Sequence, residues 1–514
     1  MDVGGKYALL SSKVAVQNNL TLKMVGWAFL SSIFFLSLSY PVVDLDLWHQ
    51  MALIREAIRL GYIPLSDQFA YTPTIFPNVH HEWGAGAIAY YLSTKFGPIG
   101  IIAIKYFLGS AIAFFLLLCL KKRAVSIEVL IFLVPIGIIL LSPGFSTIRA
   151  QMYSFAFVAC LIWFFELDQS GNRYWLAFSI ILWLIWINIH AGFLVGMGLW
   201  AGYWLEKLLR GQSHKYLILS GCIAILLIIF NPYGFHYYQY LFRAITMDRA
   251  NIQEWQPIWQ AFDFHHNFIF LVSLFFIFYA IKEIGIRNTQ GISLLFLAGI
   301  ASAFCMRLIF FYAIIWICYV PGYIQKTPLA AIMKNVFKKA SRYLIFNSIL
   351  CLSALLMFYQ GINLYPWHPL IPGNHIKKLG DHIIYPVGAV EFLQEIAFKG
   401  NVMVFFDWGA YVLWKLYPNV HVSLDSRYEA TYPEWLVQEI SDLYSAKAGW
   451  ENTLTKYPTD LVVVSKNLPL SKVMTKQNEW AKIYNDKIFE LYARPGLAFP
   501  YVDRIDRTFR GTFP

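Results

Sequence analysis

Long apolar runs alternate with short polar connections along this chain, and that alternation predicts its architecture. The runs cover residues 25–43, 98–120, 125–142, 151–166, 174–189, 192–209, 216–231, 267–282, 291–305, 307–323 and 343–359. A bilayer-crossing helix needs about 20 mainly apolar residues, so the pattern predicts about 11 transmembrane helices. Between the first two runs, in the loop 44–97, Leu47, Met51, Ile54 and Ile58 recur at helical spacing. His49, Arg55, Glu56 and Arg59 are turned elsewhere. This spacing predicts an amphipathic helix lying along the membrane interface and ended by Gly61 and Pro64. A second such helix is predicted from about Glu82 to Phe96.

Beyond residue 360 the pattern changes. Residues 402–406, 420–424, 461–464 and 487–492 read as strands, and 387–398, 433–445 and 467–478 as helices. Such alternation predicts a small α/β domain. The expected organisation is a mainly α, polytopic membrane protein. Residues 1–360 form its transmembrane domain and 361–514 an extracytoplasmic α/β domain. No internal repeat and no low-complexity tract interrupts it.

Composition supports the membrane reading. Of 514 residues 58% are hydrophobic and only 14% charged, whereas soluble domains carry about a quarter charged residues. The net charge of +11 does not point to nucleic acid, because the basic residues are scattered over short connections. Lys121, Lys122, Arg123, Arg173, Lys207, Arg210, Lys215, Lys282, Arg287 and the 326–342 segment all fall on one side, with Lys6, Lys13 and Lys23. The positive-inside rule makes that side cytoplasmic, and an odd number of spans then places the C-terminal domain outside. Lys334, Lys338, Lys339 and Arg342 form a basic segment expected to touch anionic lipid. Six cysteines (119, 160, 222, 305, 318 and 351) lie in or beside apolar runs without a C-x-x-C, implying neither a disulfide framework nor a zinc site. With no small-residue cleavage signal, run 25–43 is read as a retained first span.

The opposite connections hold the chemistry. Asp44, Asp46, His80, His81, Glu82, Arg149, Gln151, Asn188, His190, Asn231, Glu254 and Arg307 all collect on the non-cytoplasmic side. The basic residues that set the orientation are a different group, so this convergence argues independently for one chamber at the outer face. Asp44 and Asp46 share a face if the chain is extended there. They can then take a proton from an attacking hydroxyl or hold a divalent cation against a phosphate. Alternatively they cap the interfacial helix. His80-His81-Glu82-Trp83 is not a zinc helix, since no second histidine stands at the required spacing. Its histidines can donate to a phosphate, or Glu82 simply opens a helix whose dipole favours an acid.

Arg149, Gln151, Asn188, His190 and Arg307 form a stronger group. Each arginine can also snorkel to water from a span end. Asn188 and His190 sit in a hairpin with almost no loop, where polar groups need partners such as a phosphate or sugar. Glu254-Trp255 and the aromatic stretch 233–264 can cover the chamber, although an aromatic belt explains the tyrosines equally well. Asp407-Trp408-Gly409 and Asp425-Ser426-Arg427-Tyr428-Glu429 follow predicted strands, as binding loops do and as structural turns do.

Taken together, these motifs resemble the GT-C glycosyltransferases. The resemblance rests on the acidic pair after the first span, the amphipathic helix, Gly61…Pro64…Asp67-Gln68-Phe69 and His81-Glu82-Trp83. Arg149-Ala150-Gln151, Trp186-x-Asn188-x-His190-x-Gly192, Asn231-Pro232-Tyr233-Gly234 and Asp407-Trp408-Gly409-Ala410-Tyr411 are similar to one bacterial branch. Relatives in this superfamily include protein mannosyltransferases, the aminoarabinose transferase of lipid A and oligosaccharyltransferases.

The resemblance implies sugar transfer from a polyprenyl-phosphate or -diphosphate donor, at the outer face of a bacterial cytoplasmic membrane, to a glycan, lipid or protein acceptor. It implies that Asp46 or Asp44 is the base, with the spacing to Gly61 favouring Asp46, and that Glu82 belongs to the catalytic set. His80, His81, Arg149, Gln151, Asn188, His190, Glu254 and Arg307 are then expected around the donor's phosphate and sugar. This chain has Asp-Leu-Asp where several relatives have adjacent Asp-Glu, so the division of labour stays open. Oligosaccharyltransferases need a divalent metal and other members do not; a metal-dependent chain would use Asp44 and Asp46 for Mg2+ or Mn2+. Two rival classes share these features: a transporter or flippase of lipid-linked sugars, and a non-catalytic envelope-polysaccharide assembly protein. The first expects charged or broken sites near the bilayer midplane, and these spans show few; the second tolerates loss of both acids.

Overall fold

The computed structural model describes residues 3–247, 252–261, 263–337, 340–376, 383–477 and 479–514. Each of the eleven apolar runs is occupied by helix. Among the described residues, seven helical segments are long and apolar enough to cross a membrane: Leu20–Leu38, Pro98–Lys122, Ile127–Phe145, Gln151–Gln169, Phe264–Ile284, Met306–Ile324 and Tyr343–Asn363. Trp175–Ile189, Lys215–Ile229 and Ile292–Phe304 are shorter apolar helices. Phe193–Leu209 is also helical, with Glu206 and Lys207 in its last turn.

Met306–Ile324 is central to the bundle. Its residues from Ile309 to Ile324 are all buried, as expected for a helix that is apolar on every side. Gly137 sits so close to Ile317 that a Cβ there would meet its side chain at 2.3 Å. A Cβ on Gly144 would likewise meet Phe155 at 2.9 Å. Small residues at such crossings let helices approach closely where lipid offers no hydrophobic driving force. Lys338 and Lys339 of the basic segment lie outside the described residues.

Among the described residues, eight short strands complete the structure. β1 (Val42–Val43) and β2 (Thr147–Ile148) pair in parallel beside the connection that carries Asp44. β3 (Gly400–Met403), β4 (Val420–Val422), β5 (Leu461–Ser465), β6 (Ala481–Asn485), β7 (Phe489–Ala493) and β8 (Val502–Asp503) form one sheet in the order β4-β3-β5-β7-β6-β8. β4, β3 and β5 are parallel, β5, β7 and β6 antiparallel, and β8 parallel to β6. The expectation of an α/β C-terminal region is met in its strands and helices, with β6 and β8 added. One strand boundary is corrected: 402–406 ends as a strand at Met403, and Phe406–Leu416 is helix. Apolar residues at 402–406 read alike in either state over so short a run.

The first loop is built into this sheet. The Tyr71 N–H donates to Val422 O at 3.2 Å and Val422 N–H to Phe69 O at 3.1 Å, so the loop pairs with edge strand β4. The helix Asp46–Leu60 ends on Gly61, which takes the left-handed φ of 81° that glycine adopts without penalty. Much of its expected lipid-facing stripe is covered by protein. Trp48 and Met51 are fully buried, and Trp48 meets Tyr385, Tyr411 and Phe513 at ring separations of 6.2, 5.4 and 5.5 Å. Leu47 and Met51 of that stripe pack with the C-terminal region, while Ile58 remains 66% exposed. Truncating a tryptophan packed this way costs about 3–5 kcal/mol.

Candidate functional site

A cavity of about 1060 Å³ opens between the first loop, the connections around Arg149, Glu254 and Arg307, and the C-terminal region. Eight predicted site residues line it: Asp44, Asp46, His80, His81, Glu82, Arg149, Glu254 and Arg307. Gln151, Asn188 and His190 do not. The convergence expected from sequence is therefore largely real, although individual roles differ.

The two first-loop acids differ in how they are held. Asp44 follows extended β1, whereas Asp46 is the first residue of its helix, so they do not share one extended face. Asp44 Oδ1 accepts the Asp46 N–H at 3.1 Å, and its Oδ2 accepts the Thr147 hydroxyl at 3.0 Å. Arg149 Nε lies 3.7 Å from the same Oδ2. Burial nevertheless pushes the Asp44 carboxyl up to about 6; Arg149 opposes that rise and neighbouring Asp46 adds to it. The capping reading thus holds in part for Asp44, which satisfies a first-turn N–H. Asp46 is the accessible acid. Its side chain is 33% exposed, and His49 Nε2 lies 3.5 Å from its carboxylate.

Glu82 was expected either to open a helix or to act chemically. Its side chain caps nothing. Instead Gln50 Nε2 donates to its Oε2, and His190 Nε2 lies 3.2 Å from its Oε1. The Gly192 N–H donates to His190 Nδ1 at 2.8 Å, which fixes the ring proton on Nε2, pointing at Glu82. Burial resists ionisation of Glu82, but the hydrogen bonds from His190 and His81 outweigh it and hold the carboxyl well below its usual range. His81 Nε2 is 3.6 Å from Glu82, while its Nδ1 meets the Tyr240 hydroxyl at 2.7 Å and its ring stacks on Tyr240 at 5.1 Å. Burial and the nearby Arg427 keep His80 neutral.

The arginines are not free. Arg149 donates to both Glu254 oxygens, at 2.8 and 3.1 Å, and Arg307 stands 3.7 Å from the second. Burial disfavours the Glu254 carboxylate, yet Arg149 and Arg307 hold its carboxyl down at about 2. Glu254 therefore neutralises the cationic pair, a role that sequence position did not disclose. Residues 248–251 and 262, within the stretch expected to cover the chamber, lie outside the described residues. Ile252, Gln253, Glu254 and Trp255 line the cavity.

Two expected site residues are structural. Asn188 Nδ2 donates to Leu184 O and Phe230 O, both at 2.9 Å. A Cβ on Gly84 would meet the Asn188 carbonyl at 2.4 Å, so its backbone is the floor on which the second loop helix rests. His190 acts through Glu82 rather than on the cavity. Gln151 is buried, with an Oε1 that finds no hydrogen-bond partner among the described residues.

Of the other half of the cavity, the sequence offered Asp407, Ser426, Arg427 and Tyr428 in candidate binding loops, while Phe406, Glu434 and Trp435 were missed. Phe406, Asp407, Ser426, Arg427, Tyr428, Glu434 and Trp435 line it from the C-terminal side. Asp407 stands in the first turn of a helix, not in the loop expected for it. Asp425 and Arg427 serve the structural alternative: Arg427 pairs with Asp425 at 2.6 Å and with Asp67 of the first loop, all three side chains almost wholly buried. The Tyr432 hydroxyl adds a donor to Asp425 at 3.0 Å. This clasp holds the roof against the first loop. Gln50 and His49 were also passed over, because a helix-facing amide or imidazole is commonplace in sequence.

A divalent metal does not fit the acidic pair. Both Asp44 oxygens already accept hydrogen bonds, and among the described residues no group of three His, Cys, Asp or Glu side chains is placed to hold an ion. No family model matches the chain, and no curated protein is similar to it.

Proposed function

We propose that this protein is a GT-C-type glycosyltransferase of about 11 spans that takes a sugar from a polyprenyl-phosphate donor at the outer face of a bacterial cytoplasmic membrane. The observation that carries the reading is the pairing of an accessible carboxylate, Asp46, with two arginines on one cavity at the apolar bundle. An acceptor hydroxyl attacks the anomeric carbon while Asp46 takes its proton. The new C–O bond forms as the bond to the phosphate oxygen breaks, with inversion, and the phosphate leaves with the bonding pair. Arg149 and Arg307 stabilise the charge that develops on it. Glu254 occupies them until the donor arrives, and the donor's monoanionic phosphodiester, which becomes a dianionic monoester as the sugar leaves, replaces it as the bidentate partner. Asp44 orients Arg149, and Glu82 orients His81. Apolar grooves between the spans take the polyprenyl tail.

The test is transfer in nanodiscs containing polyprenyl-phosphate sugars and a native lipid extract, comparing the wild type with Asp46→Asn and Asp44→Asn. Sugar should leave the donor lipid only when Asp46 is present. Undiminished transfer by Asp46→Asn would sink the assignment of the base. Vectorial movement of intact donor across the bilayer without cleavage would replace the transferase by a flippase.

A further inference from the structure

The cavity has two chemically different walls, and the second has no part in handling the donor. On the C-terminal side Trp435 is 52% exposed, with Lys456 Nζ 5.2 Å from its ring, steadying it. Phe406 and Tyr428 meet edge to face at 6.2 Å on the same wall. Among the described residues the carboxylates of Asp407 and Glu434 have no hydrogen-bond or ion-pair partner on the protein, and the Ser426 hydroxyl is buried without one. Arg427, the one cation among the described residues that line this wall, is consumed by Asp67 and Asp425, and Lys456 beside Trp435 is paired with Glu439 at 2.8 Å. Across the cavity Gln50, only 3% exposed, is a lining residue whose buried Oε1 has no partner among the described residues. The surface is therefore aromatic and rich in free acceptors, with no uncommitted cation to hold a phosphate.

We infer that this wall is the acceptor subsite and that it takes an uncharged saccharide, with a sugar ring seated on Trp435 and hydroxyls donating to Asp407 and Glu434. The inference rests on the transferase reading above. Sugar rings present C–H faces that stack on an indole and hydroxyls that pair with carboxylates through charge-assisted hydrogen bonds. An anionic glycan or lipid headgroup would be repelled by two unpaired acids. An extended peptide would bind by adding a strand to a sheet edge, but edge β4, which leads into this wall, is already paired with Phe69 and Tyr71. Burial pushes the Asp407 carboxyl up to about 6, in keeping with an acid that lacks the donors a bound polyol supplies.

The experiment uses the full chain in nanodiscs on an array of neutral oligosaccharides, phosphorylated oligosaccharides and extended peptides. Polyprenyl phosphate is titrated separately. Neutral oligosaccharides should be retained; Trp435→Ala and Asp407→Asn should each weaken them about tenfold, and Trp435→Tyr should keep most of the binding. A preference for peptides or phosphorylated glycans, or neutral-glycan binding that Trp435→Ala and Asp407→Asn leave unchanged, overturns the subsite. Polyprenyl phosphate binding without any glycan binding defeats the subsite alone. Glycan binding through Trp435 without polyprenyl phosphate binding keeps the subsite and defeats the donor reading.

Discussion

The two ends of the helical bundle are both rich in charge, yet only one looks built to meet a ligand. The helix Gln151–Gln169 joins them, about 28 Å long at 1.5 Å per residue. At its far end lies a pocket of about 330 Å³. There Lys207 pairs with Asp168 at 2.5 Å, Arg210 with Glu206 at 3.0 Å and Arg123 with Glu166 at 2.5 Å. Tyr203 and Tyr216 add donors to Asp168 at 2.8 and 2.6 Å, and Gly291 and Ser293 add theirs to Glu206. Acids and bases are matched one to one, and helix ends are tied together. At the cavity end, among the described residues, Asp407 and Glu434 have no ion-pair partner, Asp46 has only His49 at 3.5 Å, and Glu254 is shared by two arginines. The lesson is that charge density alone does not mark a site. Carboxylates beside a cavity that no lysine or arginine is matched to do.

That contrast can be broken from either side. The largest effect is expected from Asp46→Asn, which should lower transfer by about a thousandfold, the scale of a lost general base, without moving the thermal midpoint. A comparable loss from substitutions at the far end would erase the distinction. Lys207→Met should do the opposite, leaving Asp168 buried without its cation. Stability in detergent should fall by about 3 kcal/mol, while kcat/KM of the folded protein stays unchanged.

Asp44 sharpens the comparison through pH. Its folded carboxyl titrates at about 6 against an ordinary 3.8, so between those values the folded chain holds a proton that the unfolded chain releases. Its contribution to stability is therefore greatest below pH ~4, falls as pH rises to ~6 and levels off above, by about 3 kcal/mol in all. Thermal melts of Asp44→Asn across this window should lack that component of the slope; identical wild-type and variant slopes would refute the shift. The smallest effect is expected from Glu254→Gln. Freeing Arg149 and Arg307 from a competing carboxylate should tighten polyprenyl phosphate binding about tenfold. Weaker binding would mean that Glu254 shapes the arginines rather than occupying them.

Much of the fold was legible in the sequence because it is local. An apolar run reports a buried or lipid-facing helix, and Gly61 reports where a helix stops. The eleven runs and the loop helices at Asp46–Leu60 and Trp83–Phe96 followed from such patterns. Eight of the eleven named site residues reach the cavity because span ends on one side of a bundle must converge. Partners were not legible. No pattern within the first loop says that Trp48 will pack on Tyr411, that Asp67 will meet Arg427, or that Glu254 will clasp Arg149. Those pairs join residues 105 to about 360 positions apart, and only the folded chain decides which polar groups spend their hydrogen bonds on each other. Sequence by itself determined where the helices run and at which end the chemistry gathers, since periodicity and charge placement act over short range. Tertiary structure alone decided which carboxylates stay free, because each such choice is a competition between burial and a partner brought from far along the chain.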